Sequence, residues 1–203
     1  MFITFEGIDG SGKSTQLELL AEALKAEGKP VVVTREPGGS ELGQTLRQIL
    51  LHHPGFISSR CELFLYLADR AQHVETLIRP ALAENKIVLC DRFIDSTVAY
   101  QGLGRRLSVE EIQRMNAMAT GGLQPDKTIL LDAPVEVLLH RAKNRSEADR
   151  LEQETVDFYA NVRQQYLTLA HAEPDRFLVL DATLPIEEIQ KSLLLCLPII
   201  GCR

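Results

Sequence analysis

Two rhythms of hydrophobic and polar positions alternate along this chain. Short runs rich in β-branched, aromatic and aliphatic residues occur at 2–5, 31–34, 87–90, 128–132 and 177–180, and each reads as a strand. The run 87–90, Ile-Val-Leu-Cys, is apolar throughout, so burial on both faces is expected. Between the runs the apolar spacing becomes helical. Residues 15–27 place Leu17, Leu20, Ala21 and Leu24 on one face, and residues 41–51 do the same with Leu42, Leu46, Ile49 and Leu50. Ser58 or Ser59 caps a long helical stretch that runs to about residue 85, with an interruption expected at Pro80. A further helical stretch reaches Tyr100, and the glycines of Gly102-Leu103-Gly104 are expected to break it. Ser108-Val109-Glu110-Glu111 forms a capping-box pattern opening a helix to about residue 120. Residues 135–143, 151–171 and 186–196 complete the helical set. Strands that alternate with helices predict an α/β fold built on a doubly wound parallel sheet. Such sheets bind ligands beyond the carboxyl ends of their strands. The polar segments 7–14, 35–40 and 91–101 each follow a predicted strand. There is no internal repeat, low-complexity tract or linker, so one domain over 1–203 is expected.

Composition narrows the function classes. The chain has 203 residues, is 45% hydrophobic and carries a net charge of −6. Aromatic residues are few and Trp is absent, which argues against a stacking surface for single strands and against a nonspecific nucleic-acid binder. The longest apolar run, 193–202, contains Pro198 and is too short to span a bilayer. The first residues already read as strand and loop, so a signal peptide is not expected. Cys61, Cys90, Cys196 and Cys202 show no metal spacing and read as thiols of a reducing, cytoplasmic setting. The five histidines show no triad or metal spacing and read as structural or surface groups.

Specific chemistry appears at Gly7-Ile8-Asp9-Gly10-Ser11-Gly12-Lys13-Ser14, which fits G-x-x-x-x-G-K-[ST] between a predicted strand and a predicted helix. Glycines let successive backbone N–H groups converge on one anion, and the helix N-terminus adds its dipole. Lys13 supplies a mobile charge for phosphates, and the Ser14 hydroxyl suits Mg²⁺. A glycine-rich helix-capping turn is the alternative.

Arginines recur at strand ends and on neighbouring helices: Arg35, Arg47, Arg70 and Arg92. A guanidinium fork suits phosphate, and Arg92, directly after a buried strand, is the one most expected to meet a ligand. Asp91 ends that strand. A carboxylate beside bound phosphate implies a cation or an arginine between them, which makes Asp91 and Ser14 the candidate Mg²⁺ contacts. Asp9 reads equally as such a group or as a turn-stabilising residue. The polar segment around 141–152, with Arg141, Lys143 and Arg145, reads either as a lid that delivers positive charge or as a solvated connection between helices.

Taken together, residues 5–15, Thr34-Arg35-Glu36-Pro37-Gly38-Gly39-Ser40, Ala68-Asp69-Arg70, Asp91-Arg92-Phe93 with Ser96-Thr97 and Ala99-Tyr100-Gln101, and residues 149–154 (Asp-Arg-Leu-Glu-Gln-Glu) resemble the thymidylate kinase family in its bacterial form. The resemblance spans nearly the whole chain. It implies a three-layer fold of the P-loop NTPase type with a five-stranded parallel sheet and a short lid. It also implies a homodimer, ATP with Mg²⁺ as donor, and dTMP as acceptor. By position, Gly7, Ile8, Asp9, Gly10, Ser11, Gly12, Lys13, Ser14, Thr15 and Arg141 would hold the donor. Glu36, Pro37, Arg47, Tyr66, Arg70, Arg92, Ser96, Thr97, Tyr100 and Gln101 would form the acceptor site. Arg70 would donate to the base. Asp9 would place the sugar and the phosphate arginines. Tyr66 stands where the family usually has the base-stacking Phe, and Phe64 is the nearby alternative. The resemblance puts the catalytic arginine in the lid, matching Arg145 best, because Ile8 to Ser11 include no basic residue. Lys13, Arg92, Arg145 and Asp9 are therefore the expected catalytic set. Another acceptor, such as dUMP or a nucleoside, and a nucleotide-binding switch without transfer are the competing readings. A GTPase would show Asn-Lys-x-Asp, which the chain lacks. No adenine-reading motif is legible at 181–186.

Overall fold

A computed structural model describes residues 1–143 and 154–197. The strands are β1 (Phe2–Glu6), β2 (Val31–Arg35), β3 (Ile87–Asp91), β4 (Lys127–Asp132) and β5 (Phe177–Asp181). They form one sheet in the order β2-β3-β1-β4-β5, with every pairing parallel. The helices are α1 (Lys13–Ala26), α2 (Glu41–His52), α3 (Ser59–His73), α4 (Arg79–Ala83), α5 (Ile94–Thr97), α6 (Val109–Thr120), α7 (Val135–Lys143), α8 (Val156–Ala172) and α9 (Ile186–Cys196).

Side chains alternate across the sheet because successive Cβ atoms leave a strand on opposite faces. Ile3 and Phe5 of β1, with Leu89 of β3, join the larger apolar core with Leu17, Leu20 and Leu24 of α1. Phe2, Val88 and Cys90 face the other way, into a second cluster with Val74, Ile78 and Phe93. Two cores on two faces make the three layers. The interior strand β3 is buried on both faces as its composition predicts, whereas β2, at the edge, leaves Val33 45% exposed.

Two boundaries differ from expectation. The region from Ser59 to Ala83 does not break at Pro80. It widens into a π-helical turn at Val74–Ile78, and Pro80 then sits in the first turn of α4, where its missing N–H is tolerated. Nor does Gly102 break the helix after Tyr100. A second π-helical segment, Val98–Gly104, runs through it and ends at Gly104. A Cβ at Gly104 would meet the Phe158 ring at 2.9 Å, so this glycine serves the close approach of α8 rather than a turn.

The apolar face expected on α2 is only partly covered. Leu50 is buried, but Leu42 is 52% exposed, and Phe64 on the neighbouring α3 is 57% exposed.

Candidate functional site

β1, β3 and β2 end side by side, and the loops that follow them converge. The loop after β1 turns through glycines at φ 134°, 85° and 91° (Gly7, Gly10, Gly12). Space as well as dihedral requires two of them. A Cβ at Gly7 would fall 2.5 Å from the Leu131 carbonyl oxygen, and one at Gly10 would fall 2.3 Å from that of Leu138. Lys13 is buried and its Nζ donates to the Ile8 carbonyl at 3.1 Å, 3.6 Å from Asp9 Oδ1. Burial and the neighbouring Arg92 push its pKa down, against the pull of Asp9 and Asp91. Ser14 Oγ donates to Asp91 Oδ2 at 2.9 Å. The other Asp91 oxygen, Oδ1, is buried without a hydrogen-bond partner among the described residues. A hydroxyl and a half-committed carboxylate are hard oxygen donors, the set that suits Mg²⁺ completed by phosphate and water.

The loop after β3 carries the residue that links the two halves of the site. Arg92 adopts the left-handed conformation, φ 70°, sparsely occupied by non-glycine residues. Its backbone is held from both sides: Arg92 N–H donates to Phe5 O at 3.0 Å, and Phe93 N–H donates to Glu6 Oε1 at 2.8 Å. Its guanidinium donates to Asp9 Oδ1 at 2.7 Å and to Ser96 Oγ at 3.2 Å, and lies 5.1 Å over the Tyr100 ring. Burial would raise the Asp9 pKa, but Arg92 and Lys13 outweigh it and hold the carboxyl well below the usual range. Glu6, fully buried under this group, also accepts from Ser96 Oγ at 2.6 Å and Tyr166 OH at 2.9 Å. Its pKa is pushed up to about 7 by burial and then by Asp95, with Ser96 and Arg92 opposing.

All ten residues expected at the acceptor site line one cavity, joined by Asp9 and Leu51. Arg47 Nη1 donates to Pro37 O at 2.9 Å. Arg70 is fully buried and spends four N–H groups on protein: Glu36 Oε2 at 2.8 Å, Thr97 Oγ1 at 2.8 Å, Asn116 Oδ1 at 2.6 Å and Phe93 O at 2.9 Å. Glu36 also accepts from His73 Nδ1, whose Nε2 meets Thr34 Oγ1 at 2.7 Å. Tyr66 lines this cavity. Phe64 instead lines a separate groove with Leu107 and Met115.

A second, polar cleft is lined by Gly10, Gly12, Lys13, Ser14, Arg35 and Asp91, and shares Asp9, Glu36, Arg47 and Arg92 with the first cavity. A third cavity runs from Thr15 and Gln16 to residues 182–187 and includes Arg141, whose Nη1 donates to Ala182 O at 2.7 Å. Gly7, Ile8 and Ser11 complete the loop beneath these clefts, and Ser11 Oγ is buried without a hydrogen-bond partner among the described residues. Arg145 lies outside the described residues, as do Asp149 to Gln153.

Side chains that sequence reasoning gave no separate role support the site. Glu6, Glu62, Asn116 and Tyr166 all bond directly to predicted site residues. Only Glu6 leaves a signal, a carboxylate closing the run Phe2-Ile3-Thr4-Phe5 on a buried central strand.

Known proteins share this sequence and this fold. The family described as "Thymidylate kinase" matches residues 5–193. The thymidylate kinase of Desulfovibrio desulfuricans is 53% identical over 197 residues, covering 93% of this chain and 91% of its own length. That of Kosmotoga olearia is 47% identical over 205 residues, covering 99% of each. The crystal structure of thymidylate kinase from Ehrlichia chaffeensis superposes with a TM-score of 0.78 at 37% identity, covering 95% of both chains. A family match over most of the chain, close relatives of full length and a shared fold lead to one conclusion: this chain belongs to the thymidylate kinase family.

Proposed function

We propose a division of labour by which this chain carries out its family's reaction, transfer of the γ-phosphate of ATP to dTMP to give dTDP and ADP. The observation that carries it is the pair Asp9–Arg92, which stands in both the polar cleft and the acceptor cavity. The loop amides of residues 7–15 and Lys13 receive the donor phosphates. Arg141, beside residues 182–187, borders the space for the rest of the donor. Ser14 and Asp91 would hold Mg²⁺, which supplies charge neutralisation at the donor phosphates when bound. On the acceptor side Arg47 faces the monophosphate, Tyr66 stacks the base, and Ser96, Thr97, Tyr100 and Gln101 enclose base and sugar.

The acceptor is a phosphate monoester whose oxygen is already a nucleophile, so the reaction requires no general base. Catalysis is alignment for in-line attack plus neutralisation of spreading negative charge. Arg92 sits where it meets both phosphate groups, and Asp9 fixes its direction. Arg145 in a lid at about 141–152 is assigned the remaining positive charge. We place the whole chain, 1–203, in a single domain that acts as a homodimer, supported by the exposed apolar side chains Leu42, Ile49 and Phe64 along α2 and α3. Free thiols at Cys61, Cys90 and Cys196 suit a cytoplasmic setting.

A coupled ADP-release assay over nucleoside monophosphates and nucleosides tests the reading. Turnover is expected with dTMP, weaker turnover with dUMP, and little with nucleosides. ATP binding without acceptor-dependent ADP release would reject it in favour of a nucleotide switch.

A further inference from the structure

Gln101 lines the acceptor cavity, yet its amide is governed from outside it. Its Nε2 donates at 2.7 Å to Glu62 Oε1, a fully buried carboxylate in the first turn of α3. Arg105 lays a fork on that carboxylate, Nε to Oε1 at 3.1 Å and Nη2 to Oε2 at 3.2 Å. Arg105 is itself seated: Nη1 meets Glu154, the guanidinium lies 5.0 Å over the Phe158 ring, and its backbone N–H donates to Tyr100 O at 2.8 Å. A carboxylate paired in this way accepts only. It therefore permits one orientation of the amide, with the NH₂ of Gln101 toward Glu62 and the carbonyl Oε1 left for the cavity.

Arg70 lines the same cavity. Four of its five N–H groups are spent on protein, and one Nη2 N–H has no acceptor among the described residues. Between them Arg70 and Gln101 thus offer a base one donor and one fixed acceptor. A pyrimidine with a 4-oxo group and an N3–H presents the complementary pair. A 4-amino pyrimidine presents a donor and a bare N3, reversed at both places.

We propose that Glu62 and Arg105 are positioning residues for base selection: they hold the Gln101 carbonyl as an acceptor, so that the pocket takes 4-oxo pyrimidine monophosphates and rejects 4-amino ones. The proposal rests on the acceptor-cavity assignment above and extends it to residues that do not touch the substrate. Freed from a strict acceptor, the Gln101 amide can rotate and serve either base.

The test measures kcat and KM for dTMP, dUMP and dCMP with the full-length wild type, Glu62→Gln and Arg105→Lys, alongside thermal unfolding of each. In Glu62→Gln the ratio of kcat/KM for dTMP to that for dCMP is expected to fall at least about tenfold, mainly through KM. The dTMP-to-dUMP ratio and the KM for ATP are expected to stay unchanged, since both uracil-type bases share the same edge. Arg105→Lys, which keeps the charge on Glu62, is expected to retain most of the selectivity. If Glu62→Gln does not fold, Arg105→Met, which removes the fork that pairs the Glu62 carboxylate, is read by the same ratio. A folded Glu62→Gln chain with unchanged dTMP-to-dCMP ratio, or one that loses all three acceptors equally, overturns the positioning role while leaving dTMP phosphorylation intact. A wild type that prefers dCMP overturns the acceptor assignment itself and this proposal with it.

Discussion

The proposed donor loop and the proposed acceptor pocket meet at Asp9 and Arg92 but are built from different material. The loop is backbone: glycines at positive φ, amide N–H groups, and one lysine, all within eight consecutive residues. The pocket is side chain. Arg70, Glu36, His73, Thr97, Asn116 and Gln101 come from five segments spread over some eighty positions and are held by a buried network of charge-assisted hydrogen bonds. A backbone site binds what every nucleoside triphosphate shares, its phosphates. A side-chain site can be cut to one base. The difference predicts that damage to the loop removes turnover for every acceptor, and damage to the pocket shows first in acceptor KM and in stability.

The largest effect belongs to the loop. Lys13→Ala is expected to lower kcat by about 10³-fold or more while circular dichroism stays native, because the lost charge acts mainly on the transferring phosphates. Arg145→Ala should fall by orders of magnitude as well. Near-normal turnover there would move the lid's role to Arg141 or Lys143. Breaking the pocket comes next. Glu36→Gln leaves Arg70 buried with its charge uncompensated and should destabilise the fold by about 3 kcal/mol. It should raise the KM for dTMP and leave that for ATP nearly unchanged. An equal rise in both would dissolve the distinction between the two halves. Gly10→Ala sets the φ 85° and the Leu138 carbonyl against a new methyl group. A cost of about 2 kcal/mol in unfolding free energy is expected, with weaker ATP binding.

The most gradual effect is a slope with pH. Glu6 has a folded pKa of about 7 against an ordinary 4.5, so between these values the folded chain binds more protons than the unfolded one. Its contribution to stability is complete below pH 4.5 and is lost as pH rises through about 7, by at most about 1.4 kcal/mol per pH unit. Asp69, raised to about 6 chiefly by burial and then by Glu36, adds the same sign at lower pH. Denaturant unfolding from pH 5 to 8 should show the decline in the wild type. Glu6→Gln should flatten the part between pH 6 and 7, and an unchanged slope there would remove Glu6 as its source.

The two halves also differ in how far the sequence discloses them. The loop was legible because its chemistry is contiguous, and a glycine forced by dihedral and space leaves a fixed spacing. The alternation of Ile3 and Phe5 with Phe2, and of Leu89 with Val88 and Cys90, likewise follows from period two, and the parallel sheet from strands separated by helices. The pocket residues were placed by resemblance, since nothing local ties Arg70 to Asn116 or Gln101 to Glu62. The two π-helical segments were missed for a related reason. One extra residue in a turn leaves the apolar spacing almost unchanged, and Gly102 and Gly104 look alike whether they end a helix or let another one approach.

The left-handed backbone at Arg92 has a consequence for how this position would drift. A non-glycine residue held at φ 70° carries roughly 1 kcal/mol of strain, and glycine or asparagine would relieve it. That relief is small beside what the side chain holds, its ion pair with Asp9 at 2.7 Å and its seat over the Tyr100 ring. Variants chosen only for heat tolerance should therefore keep arginine at position 92 despite its backbone. A library scored separately for folding and for phosphate transfer should rank this one codon in the same order.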